Sequence, residues 1–368
     1  MPTLEKIVVQ NFRNIAFQEL GFSPKINCIS GNNGEGKTNL LDAIYCLSMT
    51  KSAFPVPDRF NIRHGQDSFS IGGTYDMENG LRSRFSIRAL ANGEKKVVRD
   101  DKPYKRISEH IGVLPVVMVS PGDISLVSDS GEERRRLSNG ILSQMDREYL
   151  AAVQDYNRLL QQRNRMLKDK LPPDRTLLDV MDMRMEASAA TIHRSRASLA
   201  ADLNPVVQRY YSLISGGEES VSIRYQSDLL KCSLTELFKS RMEKDMALGY
   251  TTSGVQRDDF LFEMDGYPIR RCGSQGQQKS FLVALKFAQY EIMRKSYGYA
   301  PVLLLDDVFD KLDMGRISNL IAMVAGEEFG QIFITDTDKT RLSRIVDSIT
   351  DDRAYFDTVA GVFKPQEI

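Results

Sequence analysis

The chain has no excess charge of either sign. Its 368 residues carry 49 lysines and arginines against 49 aspartates and glutamates. No global field therefore draws it to a polyanion, and any contact with nucleic acid has to come from local clustering. Histidines number only three. The four cysteines, Cys28, Cys46, Cys232 and Cys272, lie far apart with no CxxC pair. Those scarcities argue against a histidine metal site, a zinc site and a disulfide framework, and leave reduced thiols in a cytosolic protein as the plain reading. No apolar run reaches the ~18 residues that span a bilayer. The opening MPTLEKIVVQNF has no cationic head followed by an apolar core, so it does not read as a signal peptide. A cytoplasmic location without membrane contact is expected. Hydrophobic residues at 42% and charged residues at 27% are ordinary for a globular protein. At about 150 residues per domain, the length predicts two or three domains.

The pattern along the chain changes twice. LEKIVVQNF and KINCIS read as strands, and NLLDAIYCLSMT as the helix after a glycine loop. Between Phe69 and Tyr104, short alternating segments separated by Asn79-Gly80, Asn92-Gly93 and Asp101-Lys102-Pro103 predict an antiparallel meander. VLPVVMVSPGD reads as a buried strand. After Gly131 the period becomes helical: Leu137, Ile141, Met145, Tyr149, Val153, Tyr156 and Leu160 recur at three- or four-residue steps, and Pro172 and Pro173 stop the run. A second helix, from Leu178 to Tyr210 with a kink expected at Pro205, returns. Each arm of this hairpin would be about 50 Å long. SGGEESVSIRY and GVQRDDFLFEMDGYPI return to strand, and SQGQQKSFLVALKFAQYEIMRKS reads as a helix. APVLLLDDVF carries a fully apolar run suited to a parallel sheet covered on both faces, and QIFITDTD looks like its neighbour. The predicted division is a split domain of residues 1–130 and 250–368 with an inserted helical domain, 131–249.

SGNNGEGKTNLLDAIY, at residues 30–45, fits the G-x-x-x-x-G-K-[ST] phosphate loop through Gly31, Gly36, Lys37 and Thr38. Glycines let successive backbone N–H groups turn inward, and the helix N-terminus adds partial positive charge. The run Gly31, Asn32, Asn33, Gly34, Glu35, Gly36, Lys37, Thr38 and Asn39 is the candidate nucleotide cradle. Lys37 would reach the β- and γ-phosphates and the Thr38 hydroxyl would ligate Mg²⁺. Asp306 and Asp307 end the strand VLLLDD. An acid there meets the ion held by Thr38, and a second can orient or deprotonate the attacking water. In GSQGQQKS, Ser274 and Gly276 open a helix. Alone, that is a serine N-cap; in company it is a second anion-binding terminus.

The order of these motifs, with Asp313 in the turn after the two acids, resembles that of the ABC-type ATPases, in which the serine loop of one subunit closes on the γ-phosphate held by the other. Nearly end to end, the chain is similar to the RecF family of bacterial recombination-mediator ATPases related to SMC heads. NFRNI, GNNGEGKTNLLDAIY, SPGDISLVSDSGEERRR, YNRLLQQRNRMLK, SGVQRDDF, SQGQQKS and LLLDDVFDKLD match its motifs in order. The implied fold class is α/β, an ABC-type P-loop ATPase head with an antiparallel β meander plus an inserted α-helical hairpin. The resemblance implies that Lys37 and Thr38 contact phosphate and Mg²⁺, Asp306 is the second Mg²⁺ contact and Asp307 the hydrolytic acid. It implies that Ser274, with Gly276 and Gln277, acts on the partner copy's nucleotide, that Asp313 lies at the interface, and that Arg13 lies near the nucleotide.

It further implies a weak ATPase in which hydrolysis is a timer. ATP and Mg²⁺ close a homodimer on duplex DNA beside a single-stranded gap, hydrolysis reopens it, and the partners are RecR and RecO with RecA loading as the outcome. Three places depart from the family: Leu137-Ser138-Asn139 follow Arg134, Arg135 and Arg136, Val255-Gln256 precede Arg257-Asp258, and Asp310-Lys311-Leu312 precede Asp313. The residues leave alternatives open: an ABC-type or SMC-like ATPase that does not act on gapped DNA, or a P-loop phosphotransferase.

For DNA, YNRLLQQRNRMLKDK carries Arg158, Arg163, Arg165, Lys168 and Lys170 against Asp169, and Arg194 and Arg196 lie on the returning helix. Clustered cations can neutralise phosphates; the alternative is a solvated helix face. Glu132 and Glu133 nearly neutralise Arg134, Arg135 and Arg136, which suits a structural role.

Overall fold

The computed structural model describes residues 1–368 except 78–79, 170–174, 218, 310–313, 325, 327, 348–349 and 367–368. The chain divides into two compact units: Met1–Asp123 with Gln289–Ile368, and Ile124–Ala288.

The first unit opens with β1 (Thr3–Phe12), β2 (Ile15–Gly21), β3 (Ile26–Ser30), α1 (Lys37–Met49), β4 (Ser68–Asp76), β5 (Arg82–Leu90), β6 (Lys95–Arg99), β7 (Lys102–Pro103) and β8 (Val116–Val119). The second unit holds α2 (Ser125–Ser128), α3 (Gly131–Met145), α4 (Arg147–Lys168), α5 (Arg175–Ser215), β9 (Val221–Gln226), α6 (Leu234–Leu248), β10 (Asp259–Met264), β11 (Tyr267–Pro268), α7 (Ile269–Cys272) and the start of α8 (Gln275–Tyr297). The chain then returns to the first unit with β12 (Val302–Asp306), α9 (Met314–Val324), β13 (Ile332–Asp336), α10 (Lys339–Asp347), β14 (Arg353–Val359) and β15 (Val362–Pro365).

Two sheets build the first unit. The meander has the order β2-β1-β4-β5-β6-β7, antiparallel throughout. Its strands alternate in sequence and in burial, with Phe69, Ile71, Phe85 and Ile87 turned into the core. The second sheet runs β15-β14-β3-β13-β12-β8, and all its pairings are parallel except β14 with β15. Strands β3, β8, β12 and β13 are buried at every position, as their apolar runs require of a sheet covered on both faces. Leu40, Leu41, Ile44 and Leu47 of α1 share one core with Ile7, Ile71 and Ile87 of the meander and with Val116, Leu304 and Phe333 of the parallel sheet. The helix behind the glycine loop is therefore fixed by both sheets, and all parallel strands deliver their C-terminal ends to the loop's side.

The second unit departs from the expected hairpin in two respects. Its first arm is two helices rather than one. The apolar period runs on across Asp146, but that side chain accepts from the Glu148 N–H at 2.8 Å and caps α4. The arms are also unequal: α4 has 22 residues and α5 has 41, about 33 and 60 Å at 1.5 Å per residue. Pro205 stands inside α5 without ending it. Pro172 and Pro173, expected to stop the first arm, lie outside the described residues, and α4 ends at Lys168. The unit also takes in residues 250–288, which the sequence pattern assigns to the head. Pairing explains this: β10 bonds along its length to β9, and Arg134 of α3 grips Asp259 of β10 at 2.7 Å.

Candidate functional site

β3 runs straight into the glycine loop, and α1 begins at Lys37. Gly34 and Gly36 have φ of +84° and +111°, which side chains with a Cβ rarely adopt. A Cβ on Gly36 would also lie 2.7 Å from the Asn14 side chain. Asn14 is part of a buttress: its Nδ2 donates to the Glu35 carbonyl at 3.1 Å, and the Gly361 N–H donates to the same carbonyl at 2.7 Å. The Glu35 carboxylate folds back to accept from the Asn32 N–H at 3.0 Å and its Nδ2 at 3.1 Å. Asn32, Asn33 and Gly34 are exposed at the loop's crest. Lys37 is 3% exposed, and its Nζ donates to the carbonyls of Gly31 at 2.7 Å and Asn32 at 3.1 Å. The cation thus sits inside the curl of the loop, where phosphate oxygens can replace those carbonyls.

The two halves of the motif meet. Thr38 Oγ1 lies 2.8 Å from Asp306 Oδ2 and 3.0 Å from Oδ1, although 268 positions separate them. Parallel register sets Asp306 of β12 beside Thr335 of β13. The Thr335 hydroxyl donates to Asp306 Oδ1 at 2.7 Å and accepts from the Asp307 N–H at 3.0 Å. Asp307 has φ +44°, a left-handed conformation uncommon outside glycine. Burial pushes the Asp306 carboxyl above its ordinary pKa; the Thr335 and Thr38 hydroxyls pull it down, Asp307 adds to the rise, and Lys37 opposes it. Among the described residues no three His, Cys, Asp or Glu side chains form a metal centre on their own. One hydroxyl and one carboxylate at a phosphate loop nevertheless fit Mg²⁺, which takes one or two protein oxygens and completes its shell from phosphate and water.

Arg13 is held by its neighbours. Its guanidinium pairs with Asp42 at 2.7 Å and donates to Ser52, Asn39 and Asn61 at 3.1 Å each. Burial raises the pKa of Asp42, and Arg13 works against that rise. Arg13 therefore braces α1 from the side, touching the loop region at Asn39.

In the second unit, Ser274 is exposed and caps α8. Its Oγ accepts from the Gln277 N–H at 3.3 Å, and its own N–H donates to Gln277 Oε1 at 2.7 Å. This reciprocal pair satisfies two otherwise orphaned donors. Gln277 Nε2 also donates to Glu219 at 2.7 Å. Gly276 lies in the first turn of the same helix. Asp313 lies outside the described residues, as does Lys170.

The cationic cluster divides. Arg158, Arg165, Lys168 and Arg194 are exposed. Arg163, expected to face DNA, is fully buried and must be withdrawn from that role. Its guanidinium binds Asp182 at 3.0 Å, Asp245 at 2.9 Å and the Thr251 hydroxyl at 2.8 Å, and lies 4.0 Å above the Phe238 ring. Arg196 is likewise internal, 2.8 Å from Asp258. Arg134 makes a double contact with Asp259, Arg135 donates to the Asp258 carbonyl, and Arg136 pairs with Glu133.

Sequence reasoning missed Asn14, Thr335 and Gly361. Thr335 had a signal, since it stands next to last in β13, an apolar strand of the kind that ends in Asp306. Asn14 and Gly361 act through backbone contacts that no spacing announces.

The RecF/RecN/SMC N terminal domain family matches residues 3–351. The chain is 41% identical to the DNA replication and repair protein RecF of Bacteroides thetaiotaomicron, over 98% of this chain and 97% of that one. The chain belongs to the RecF family. It is also 43% identical to the RecF protein of Porphyromonas gingivalis W83, over 96% of this chain and 97% of that protein. A solved structure of the recombination mediator protein RecF with ATP in the RecFOR pathway matches with a TM-score of 0.90 at 28% identity, covering 100% of this chain and 98% of that one. The Smc head domain of Pyrococcus furiosus, at TM-score 0.57 and 16% identity over 100% and 96% of the two chains, shares the fold. The architecture is thus the mixed α/β ABC-type ATPase head common to RecF and SMC proteins.

Proposed function

We propose that this chain is an ATP-dependent DNA-binding mediator of recombination and repair, and a weak ATPase. The observation that carries the reading is the contact of Thr38 with Asp306, which joins the phosphate loop to the acid strand in the way a Mg²⁺-nucleotide site requires. The likeness to a RecF structure with ATP supports the choice of nucleotide. When bound, ATP offers the γ-phosphoryl group and Mg²⁺ neutralises its charge. Lys37 would exchange the Gly31 and Asn32 carbonyls for phosphate oxygens. Thr38 and Asp306 would hold the ion between hydroxyl and carboxylate. Asp307 would take the proton of the attacking water, on a peptide fixed by Thr335.

Ser274, with Gly276 and Gln277, would close on the loop of a second copy, so that ATP drives a homodimer. Its exposure and its place at a helix N-terminus support that role. Asp313 would stand at the same interface. Closure would clamp duplex DNA beside a single-stranded gap, with Arg158, Arg165 and Lys168 as phosphate contacts, and hydrolysis would reopen the dimer. A relative solved as a mediator in the RecFOR pathway supports RecR and RecO as partners, with RecA loading downstream in the cytoplasm.

Sedimentation of the wild type, Lys37→Met and Ser274→Arg with and without Mg²⁺-ATP and gapped DNA tests this. The wild type should dimerise with ATP and bind the DNA. Lys37→Met should do neither, and Ser274→Arg should bind ATP yet stay monomeric. A wild type that remains monomeric at saturating Mg²⁺-ATP refutes the closure.

A further inference from the structure

The outer face of the meander has no part in the nucleotide site. Residues 82–106 carry nine lysines and arginines against three acids, Glu94, Asp100 and Asp101, in a protein with no net charge. Lys95 and Arg99 stand opposite the inward Ala89 and Phe85, while Arg82, Arg84, Arg88 and Lys96 are on the outer side. Alternation along β5 sends Phe85, Ile87 and Ala89 inward and Arg82, Arg84, Ser86 and Arg88 outward. Register then builds rows across the outer face. Gln10, Ser70, Arg88 and Lys96 form one row, and Val8, Gly72, Ser86 and Val98 the next.

Two features of this face stand out physically. Arg88 and Lys96 are both exposed and stand directly opposite each other on adjacent strands. Like charges in that position repel and cost stability. Neighbouring cations are matched: Arg82 pairs with Glu5 at 2.8 Å and Arg84 with Asp101 at 3.2 Å. Among the described residues, Arg88 and Lys96 have no side-chain partner. Beside them Ser86 stands opposite Gly72, and Ser70 lies two positions before Gly72 on the same strand. Lys102 of β7, exposed, continues the cationic edge, and exposed Lys105 and Arg106 follow it.

We propose that this face docks the phosphodiester backbone of duplex DNA, with Arg88 and Lys96 at its centre. The proposal rests on the DNA-binding reading above and adds a surface of the first unit to the exposed cations of the second. Arginine, lysine and small hydroxyl side chains are the groups that meet phosphate oxygens. Adjacent strands lie about 4.8 Å apart, so the two cations can meet neighbouring phosphates of one backbone, where charges recur about every 3.4 Å of rise. An unmatched, mutually repelling pair on an exposed sheet face is what a polyanion relieves.

The test is the double substitution Arg88→Gln with Lys96→Gln. Fluorescence anisotropy on a gapped duplex with Mg²⁺-ATP across a salt series reads DNA binding, and thermal unfolding reads stability. Affinity should fall about tenfold at low salt, and the slope of log affinity against log salt should flatten by about 2. The thermal midpoint should hold or rise, because the repulsion is gone. Unchanged affinity and slope would overturn the proposal and leave the face to an acidic protein partner. Weaker binding with an unchanged slope would overturn it too. A wild type that fails to bind DNA would instead overturn the functional reading on which the proposal rests.

Discussion

Arg163 in the second unit and Asp306 in the first are both charged groups shut away from water, at 0% and 2% exposure, and their surroundings answer them in opposite ways. Arg163 is met by two carboxylates, a hydroxyl and an aromatic face. Asp306 is met by two hydroxyls, and burial lifts its pKa. A buried charge costs several kcal/mol unless it is paired. The arginine is neutralised by its own chain, so it holds α4, α5 and α6 together and is closed to any ligand. The aspartate is left partly unmet beside a phosphate loop, and in the proposed function an incoming cation would complete it. The difference separates a structural ion pair from a candidate binding site more surely than residue type does.

The comparison can be broken most forcefully at the arginine. Asp245→Ala should strand Arg163 with one remaining acid and cost about 3–5 kcal/mol in urea unfolding. A loss below about 1 kcal/mol would show that the pair is not what holds these helices. Thr335→Val comes next. It removes a donor from Asp306 and orphans the Asp307 N–H, for an expected loss of about 1–3 kcal/mol, and Thr335→Ser should recover most of it.

Asp306→Asn has a smaller effect and the opposite sign. The native carboxyl titrates higher in the folded chain than in the unfolded one. Between those two pKa values the folded state holds the extra proton, so stability falls as pH rises through them. At neutral pH, without nucleotide, the substitution should therefore raise the melting temperature by about 2 °C, an advantage that vanishes below the ordinary aspartate value of about 4. Unfolding scans over pH check both sign and window. Smallest of all is Arg136→Ala, which removes an exposed pair with Glu133 and should shift stability by less than about 0.5 kcal/mol.

The meeting of the glycine loop with the acid strand was legible because its signals are local. Strand, glycines, Lys37, Thr38 and helix follow one another in the chain, and an apolar strand ending in two acids admits few readings. The meander was legible from its alternation and its Asn92-Gly93 turn; Asn79 lies outside the described residues. The second unit was less so. Helical period is blind to a cap, so Asp146 broke a run that the apolar residues carried across. Arg163 could not be told from Arg158 or Arg165 by charge density, because Asp182 and Asp245, which decide its fate, lie 19 and 82 residues away. The glycine loop's buttress is hidden for the same reason: the Gly361 N–H reaches the Glu35 carbonyl from the far end of the chain.

The most direct measurement is thermal unfolding of the wild type and Asp306→Asn titrated with ATP in the presence and absence of Mg²⁺. The wild type should gain about 2.7 kcal/mol of stability at a hundred times the dissociation constant, with most of the gain requiring Mg²⁺. Asp306→Asn should begin more stable and lose the Mg²⁺-dependent part of the gain. Retention of the full Mg²⁺-dependent gain by Asp306→Asn would contradict the claim that this carboxylate is left for the ion to complete.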